Sequence, residues 1–300
     1  MILKLYYLFI NFMDTILHTL EKYIKKTEKN KSSYWKEELN NKNYKNIYTN
    51  LGFGAFNEIK ILKSIMHFIL SRVTYENYIF KTKTFIKIKN LFTKINRQID
   101  NDSIRHIFTF NLIKNNKFKN SCVIGDGKAN FLTQYITLFP NKKIYSVNLA
   151  ETLINDYLIL KKTGMLNNKL IKVAENENDL KKNYQIFLIP ANNKNFLKKI
   201  KIDLFVNIDS FREMNMREVK KYFSIIKLQK SLLYCCNREY KKLPNGEEII
   251  FKNFPWGRKL KFQECPWEKN YYTLYYPYIN KYPSKILHTL INFKNGEQII

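Results

Sequence analysis

Apolar residues recur along the first part of the chain at helical intervals, with Leu5, Leu8, Phe12, Ile16 and Leu20 three or four positions apart. A polar stretch rich in Asn and Lys covers 29–50. It is followed by Leu51-Gly-Phe-Gly-Ala-Phe-Asn57, whose Gly52 and Gly54 read as loop punctuation. Helical periodicity resumes over 58–73 and again near 85–95. From about residue 118 the period changes. Short apolar runs at 121–124, 144–149, 184–189, 204–208 and 232–236 read as strands, and the segments 129–138, 151–163, 193–199 and 215–228 as helices between them. Such alternation predicts a parallel sheet with right-handed crossovers. Residues 271–278 and 285–293, separated by a Pro/Ser turn, read as two terminal strands forming an antiparallel edge. The expectation is a mainly helical region over 1–115 and an α/β domain over 116–300.

The first crossover is the most informative point. Ser121-Cys-Val-Ile-Gly-Asp-Gly-Lys-Ala-Asn130 reads as a buried strand that breaks at Gly125, turns through Asp126 and Gly127, and enters a helix. Ligands of open α/β sheets sit beside such turns, and glycine lets the backbone approach them closely. A phosphate loop G-x-x-x-x-G-K-[ST] is absent, and Asn130 stands where a dinucleotide fingerprint has its third glycine. The second predicted strand ends at Asn148-Leu149, about where a ribose contact falls. A ligand with one ribose and no phosphates suits this pattern best, and S-adenosylmethionine is the commonest. Its amino-acid end would lie over Gly125, Asp126 and Gly127, with Asn148 and Leu149 near the ribose.

Composition narrows the reading. A 45% hydrophobic and 15% aromatic content in 300 residues supports a folded chain with ample core. The net charge of +27 comes mostly from Lys spread along the whole sequence among Asn, Ile and Tyr. That is the signature of a diffuse compositional bias more than of one anionic-partner surface. Cys122, Cys235, Cys236 and Cys265 form no C-x-x-C pair, so neither a disulfide framework nor a zinc site is expected, and a reducing cytosol fits. Cys235 and Cys236 should point to opposite faces of their strand. The apolar start of the chain is interrupted by Asn11 and Asp14 and is too short to span a bilayer. It reads as a docked amphipathic helix, with peripheral membrane contact left open.

The acceptor side comes from later segments. Asp203-Leu-Phe-Val-Asn-Ile-Asp-Ser-Phe-Arg-Glu-Met214 carries a strand to the sheet's carboxyl edge, making Asp209 and Glu213 candidate bases. Ser210 with Glu213 also has the spacing of a helix-opening capping box. Asn237, Arg238 and Lys241 follow the next strand and suit a hydroxyl-rich or anionic substrate. Leu243-Pro-Asn-Gly-Glu247 is a hairpin signal. Trp256 and Trp267 could stack on a sugar ring or cover the core. His288, in Ile286-Leu-His-Thr-Leu290, is a second candidate base or a hydrogen-bonded strand histidine. No set of metal ligands can be assembled.

Taken in order, Cys122–Asp126, Asn148-Leu149, the Ile208-Asp-Ser-Phe-Arg-Glu-Met214 core, Asn237-Arg-Glu-Tyr-Lys241, Phe254-Pro-Trp256 and Cys265-Pro-Trp267 resemble the bacterial sugar O-methyltransferase family over residues 115–300. The resemblance implies a Rossmann-like methyltransferase sheet, S-adenosylmethionine as cofactor, and a sugar or glycan hydroxyl as acceptor in surface polysaccharide synthesis. Asp209, Glu213 and His288 would then be catalytic, and Ser210, Asn237, Arg238, Lys241 and Trp256 would contact substrate. Rival readings are a nucleic-acid methyltransferase and an inactive scaffold of the same fold. The chain lacks the [DN]-P-P-[YFW] motif of amino-methylating enzymes, so no nucleic-acid partner is expected.

Overall fold

The computed structural model describes residues 14–40, 61–166, 171–265, 271–272, 278–280 and 284–300. Leu5, Leu8, Phe12, the Gly52–Gly54 turn, Trp267 and most of the 271–278 strand fall outside them.

Among the described residues, five helices come first: α1 (Thr15–Thr27), α2 (Ser33–Asn40), α3 (Ile61–Thr74), α4 (Lys83–Lys94) and α5 (Asn101–Ile113). Side-chain caps start several of them, because early helical N–H groups need acceptors from outside the helix. Asp14 accepts from Ile16 N (3.1 Å), Thr82 from Phe85 N (3.1 Å) and Asp100 from Ser103 N (3.0 Å). The alternating half follows as β1 (Asn120–Ile124), α6 (Asn130–Leu138), β2 (Lys143–Asn148), α7 (Ala150–Lys162), β3 (Ile171–Val173), β4 (Ile186–Pro190), β5 (Leu204–Ile208), α8 (Met216–Gln229) and β6 (Leu232–Arg238). All five expected strands form, and β3 is an additional three-residue strand. The expected helix at 193–199 is a 3-10 stretch, Ala191–Lys199. There Asn192 Nδ2 donates to Asn193 Oδ1, and Asn193 Nδ2 to Ala174 O, which ties the stretch to the end of β3.

The chain ends in β7 (Tyr240–Lys242), β8 (Glu248–Ile250), β9 (Gln263–Glu264), β10 (Tyr271–Tyr272), β11 (Ile279–Asn280), β12 (Ile286–Asn292) and β13 (Glu297–Gln298). The Pro244-Asn245-Gly246 turn closes the β7–β8 hairpin, with Gly246 at φ +87°. The main sheet has the order β13-β12-β6-β5-β1-β2-β4-β3, with β9 on β12. Strands β1 to β6 are parallel, and β12 runs antiparallel to β6. The antiparallel edge therefore forms, but from β12, β13 and β9; among the described residues β10 and β11 pair with each other.

Alternation along the strands divides the core in two. Val123, Ile144, Leu188, Val206, Tyr234 and Cys236 face a layer built from α1, α4, α5, α6 and α7. Cys122, Val147, Phe187, Phe205 and Cys235 face α8 and an aromatic group around Trp256. Cys235 and Cys236 thus take opposite faces, and all four cysteines are buried and in no disulfide. The N-terminal helices share the first core: Leu20, Ile88, Phe92 and Ile107 are nearly inaccessible within it. Phe110 of α5 lies 4.7 Å from the Phe131 ring of α6 and 6.0 Å from Phe139. Phe110→Ala should cost about 3–5 kcal/mol, as large-to-small changes in a full core do. Urea unfolding followed by circular dichroism and by tryptophan fluorescence should give one coincident transition. A separate early transition for the helices would contradict this shared core.

Candidate active site

Strand order reverses between β1 and β5: the chain leaves β1 for β2 on one side and returns to β5 on the other. At such a switch point the loops after the two strands part and leave a crevice at the carboxyl edge. Here the loops that flank that position are the Gly125 turn and the segment 209–214, and they meet where Ser210 packs on Gly125.

On the β1 side, the turn is held from below by the chain's own carboxylates. Asp126 is buried and accepts from Phe131 N (2.9 Å) and Leu132 N (2.8 Å), so it caps α6 instead of facing the crevice. Asp156 of α7, fully buried, accepts from Ala129 N at 2.6 Å. The turn needs both, because Lys128 and Ala129 are left-handed at φ +53° and +50°. Arg97 lies between them, donating to Lys128 O at 2.9 Å. Burial raises the Asp126 carboxyl to about 6, against its backbone donors. Burial, then the charge of Asp126, raises Asp156 well above the ordinary aspartate value. Oδ2 of Asp156 has no partner among the described residues, as suits a carboxyl that keeps its proton. Asn148 braces the turn from β2: its Nδ2 donates to Asp126 O at 2.6 Å and its Oδ1 accepts from Leu149 N at 2.9 Å.

Gly125 has φ +77°, and a Cβ there would lie 2.3 Å from Ser210 Oγ. The glycine is needed because the second loop packs directly on it. Ser210 Oγ donates to Ile124 O at 2.8 Å, and Asn207 Nδ2 donates to the same carbonyl at 3.0 Å. Asn237 Nδ2 donates to Asn207 Oδ1 at 2.8 Å, and Asn237 Oδ1 accepts from Arg212 N at 3.2 Å. The capping expectation for Ser210 and Glu213 is overturned: α8 is capped by Asn215, which accepts from Glu218 N at 2.9 Å. Ser210 turns back to β1, and Glu213 turns to a charge cluster.

That cluster brings Asp209, Glu213, Arg238 and Lys241 together and adds Arg105 of α5 and Arg212. Asp209 is left-handed at φ +63°. Its carboxylate accepts from Arg105 Nη1 at 2.7 Å and Arg212 Nε at 2.6 Å. Burial alone would raise its pKa, but Arg212, Arg105 and Arg238 outweigh that and hold it well below the usual carboxylate range. Glu213 is tied more loosely, 3.4 Å from Arg212 Nη2 and 3.8 Å from Lys241 Nζ. Burial prevails there and raises its carboxyl above the ordinary value. Burial also lowers Lys241 to about 8, and its ammonium sits 3.5 Å from the centre of the Tyr34 ring of α2. The N-terminal region thus reaches the cluster through Arg105, through Tyr34 and through Ser32, whose hydroxyl donates to the Glu213 carbonyl.

Two expected site residues are not part of it. Trp256 is 4% exposed, donates from Nε1 to Phe251 O at 3.0 Å, and packs among Phe223, Phe251 and Phe262. Its ring covers the core. His288 is buried between Tyr234 and Phe108, and burial alone lowers it to about 4. Sequence reasoning missed Asn192, two residues beyond the β4 residue that pairs with Asn148. Its Oδ1 is buried and lacks a partner among the described residues. Among those residues no group of three or more His, Cys, Asp or Glu could hold a metal ion.

No protein-family model and no curated protein sequence matches the chain. Among solved structures it is similar to a protein of Nostoc punctiforme assigned as an O-methyltransferase, at 10% identity and TM-score 0.31 over 46% of this chain and 37% of that one. It is also similar to the methyltransferase PaMTH1 of Podospora anserina, bound to S-adenosylhomocysteine, at 16% identity and TM-score 0.35 over 62% and 72% of the two chains. The O-methyltransferase TomG of Streptomyces achromogenes gives 9% identity and TM-score 0.35 over 58% and 71%. The chain therefore spans well under half of the Nostoc protein. Likenesses this distant carry no argument about activity or ligand.

Gly125→Ala should distort both loops, through the contact with Ser210 and through its positive φ. Ser210→Gly should restore part of the lost melting temperature in the double variant, leaving a penalty of about 1–2 kcal/mol for the left-handed alanine. Strictly additive losses would contradict the close packing.

Proposed function

We propose that this chain is an S-adenosylmethionine-dependent O-methyltransferase acting on a sugar hydroxyl, in surface polysaccharide or glycolipid biosynthesis. The observation that carries the reading is the pairing of two unlike loops across one crevice. Much of the β1 turn's donor set is already engaged: Gly125 N bonds Val147 O, Asn130 N bonds Gly127 O, and Ala129, Phe131 and Leu132 donate to carboxylates. A phosphate would find few free N–H groups there, so a cofactor without phosphates fits it better. Asn148 and the buried Oδ1 of Asn192 continue the same edge across β2 and β4, where a ribose and a base could extend.

When bound, S-adenosylmethionine supplies an electrophilic methyl group. The chain's own part is to hold the acceptor hydroxyl in line and remove its proton, since a protonated sugar hydroxyl is a poor nucleophile. Alignment is worth up to roughly 7–11 kcal/mol in well-oriented systems. Of the carboxylates, Glu213 suits the base role: burial raises its proton affinity, and its ion pairs are long. Asp209 is held ionised by three guanidinium groups and serves to fix Arg212 and Arg105. Arg238 and Lys241 would contact the acceptor, and Ser210 and Asn237 set the loop that presents Glu213. The resemblance to the sugar O-methyltransferase family supports the acceptor class.

Glu213→Gln should lower turnover by about 10²–10⁴-fold, the usual range for a lost general base, with cofactor affinity kept. In the wild type the rate should rise with pH through an apparent pKa above the ordinary glutamate value, and that limb should vanish in the variant. The measurement is methyl transfer to a panel of nucleotide sugars and glycans. Near-normal turnover in Glu213→Gln would remove the base assignment, and transfer to RNA with none to sugars would remove the acceptor class.

A further inference from the structure

Helix α3 is inside out. Ile61, Leu62, Ile65, Phe68, Ile69 and Val73 recur three, four and seven positions apart, so they share one face. That face is open to solvent, from 52% at Ile65 to 81% at Ile61. The fully buried residues of the helix are instead polar, His67 and Ser71, with Leu70 partly buried against the core beside them. A helix of a globular protein normally arranges these the other way, and a contiguous exposed apolar stripe marks a contact surface. At its end the stripe meets the core through Arg72 and buried Phe80. Arg72 lies over the rings of Phe68 (5.1 Å) and Phe80 (4.0 Å), Phe80 packs edge-on against Phe85 of α4, and Tyr78 and Ile86 are exposed beside them.

Charge indicates what covers this face. Between residues 61 and 94 the chain carries seven Lys or Arg against one Glu, whereas the whole chain has 52 against 25. The segment thus carries about twice the chain's average net charge per residue. Lys81, Lys83, Lys87 and Lys89 are all exposed around the start of α4. Exposed apolar side chains rimmed by lysines complement a layer with acyl chains beneath and phosphates above. At 14 residues α3 is too short to cross that layer, and no described helix is long and apolar enough to do so.

We propose that the α3 face, with the basic start of α4, docks on an anionic phospholipid surface and lies in its interface. Lys and Arg flank the inserted side chains, and Arg72 can carry its charge outward over Phe68 to the headgroups. Docking of this kind would bring the crevice to lipid-linked acceptors, but the proposal stands without that function.

The test is flotation of the full chain with phosphatidylcholine vesicles, with and without phosphatidylglycerol. Binding should require phosphatidylglycerol and weaken with salt. The paired change Ile65→Glu and Phe68→Glu should reduce the bound fraction at least about tenfold, through lost apolar insertion and added negative charge. Lys83→Ala and Lys87→Ala should each cost about fivefold, the loss of one basic contact with the surface. All these positions are exposed, so thermal melting should stay at the wild-type value. Wild-type protein that ignores anionic vesicles would overturn the proposal. So would lipid binding that the α3 variants leave intact, or a solution dimer that Ile65→Glu and Phe68→Glu dissociate without any lipid binding in the wild type.

Discussion

Asn207 ties three strand ends into one site. Its amide donates to the last carbonyl of β1 and accepts from Asn237 at the end of β6, while its own backbone continues β5. Ser210 joins the same carbonyl, and Asn237 holds the Arg212 N–H. In a dry interior each such group left unpaired costs about 1–3 kcal/mol, so the network has one low-energy arrangement. That arrangement fixes the chain direction after β5. Asp209 is forced into the left-handed region, Ser210 lands on Gly125, and Glu213 comes to the crevice.

The second constraint is electrostatic, and it separates two carboxylates four residues apart. Asp209 receives two short guanidinium contacts and remains ionised; Glu213 has longer contacts and keeps a higher proton affinity. Neighbouring groups with divergent proton affinities divide the work of a site into an anchor and a base. The N-terminal helices are part of this division, since Arg105 supplies one of the two guanidinium contacts. A helical region that packs into the domain core also completes the charge cluster.

Strand positions were legible in the sequence because burial on both sheet faces leaves continuous apolar runs bounded by turns. The β7–β8 hairpin was legible for the same reason, its turn residues being local. Local pattern could not reveal long-range partners. Nothing near Ser210 in the chain shows that its hydroxyl bonds Ile124, so it looked like a helix cap. Asp126 looked like a ligand contact until Phe131 and Leu132 were seen to use it. Trp256 was ambiguous because stacking on sugar and packing on phenylalanine require the same side chain. Asn192 was hidden in a 3-10 stretch, where its unpaired carbonyl carries no sequence signature. The acceptor cluster was half legible: Asp209, Glu213, Arg238 and Lys241 lie beside strand ends, but Arg105 arrives from a helix a hundred residues earlier.

Calorimetric titration with S-adenosylhomocysteine, alongside NAD and ATP, tests the central claim most directly. A β1 turn whose N–H groups already serve Asp126 and Asp156 should bind S-adenosylhomocysteine with a micromolar constant and neither phosphate-bearing ligand. Tight binding of NAD or ATP, with no heat from S-adenosylhomocysteine, would contradict the account.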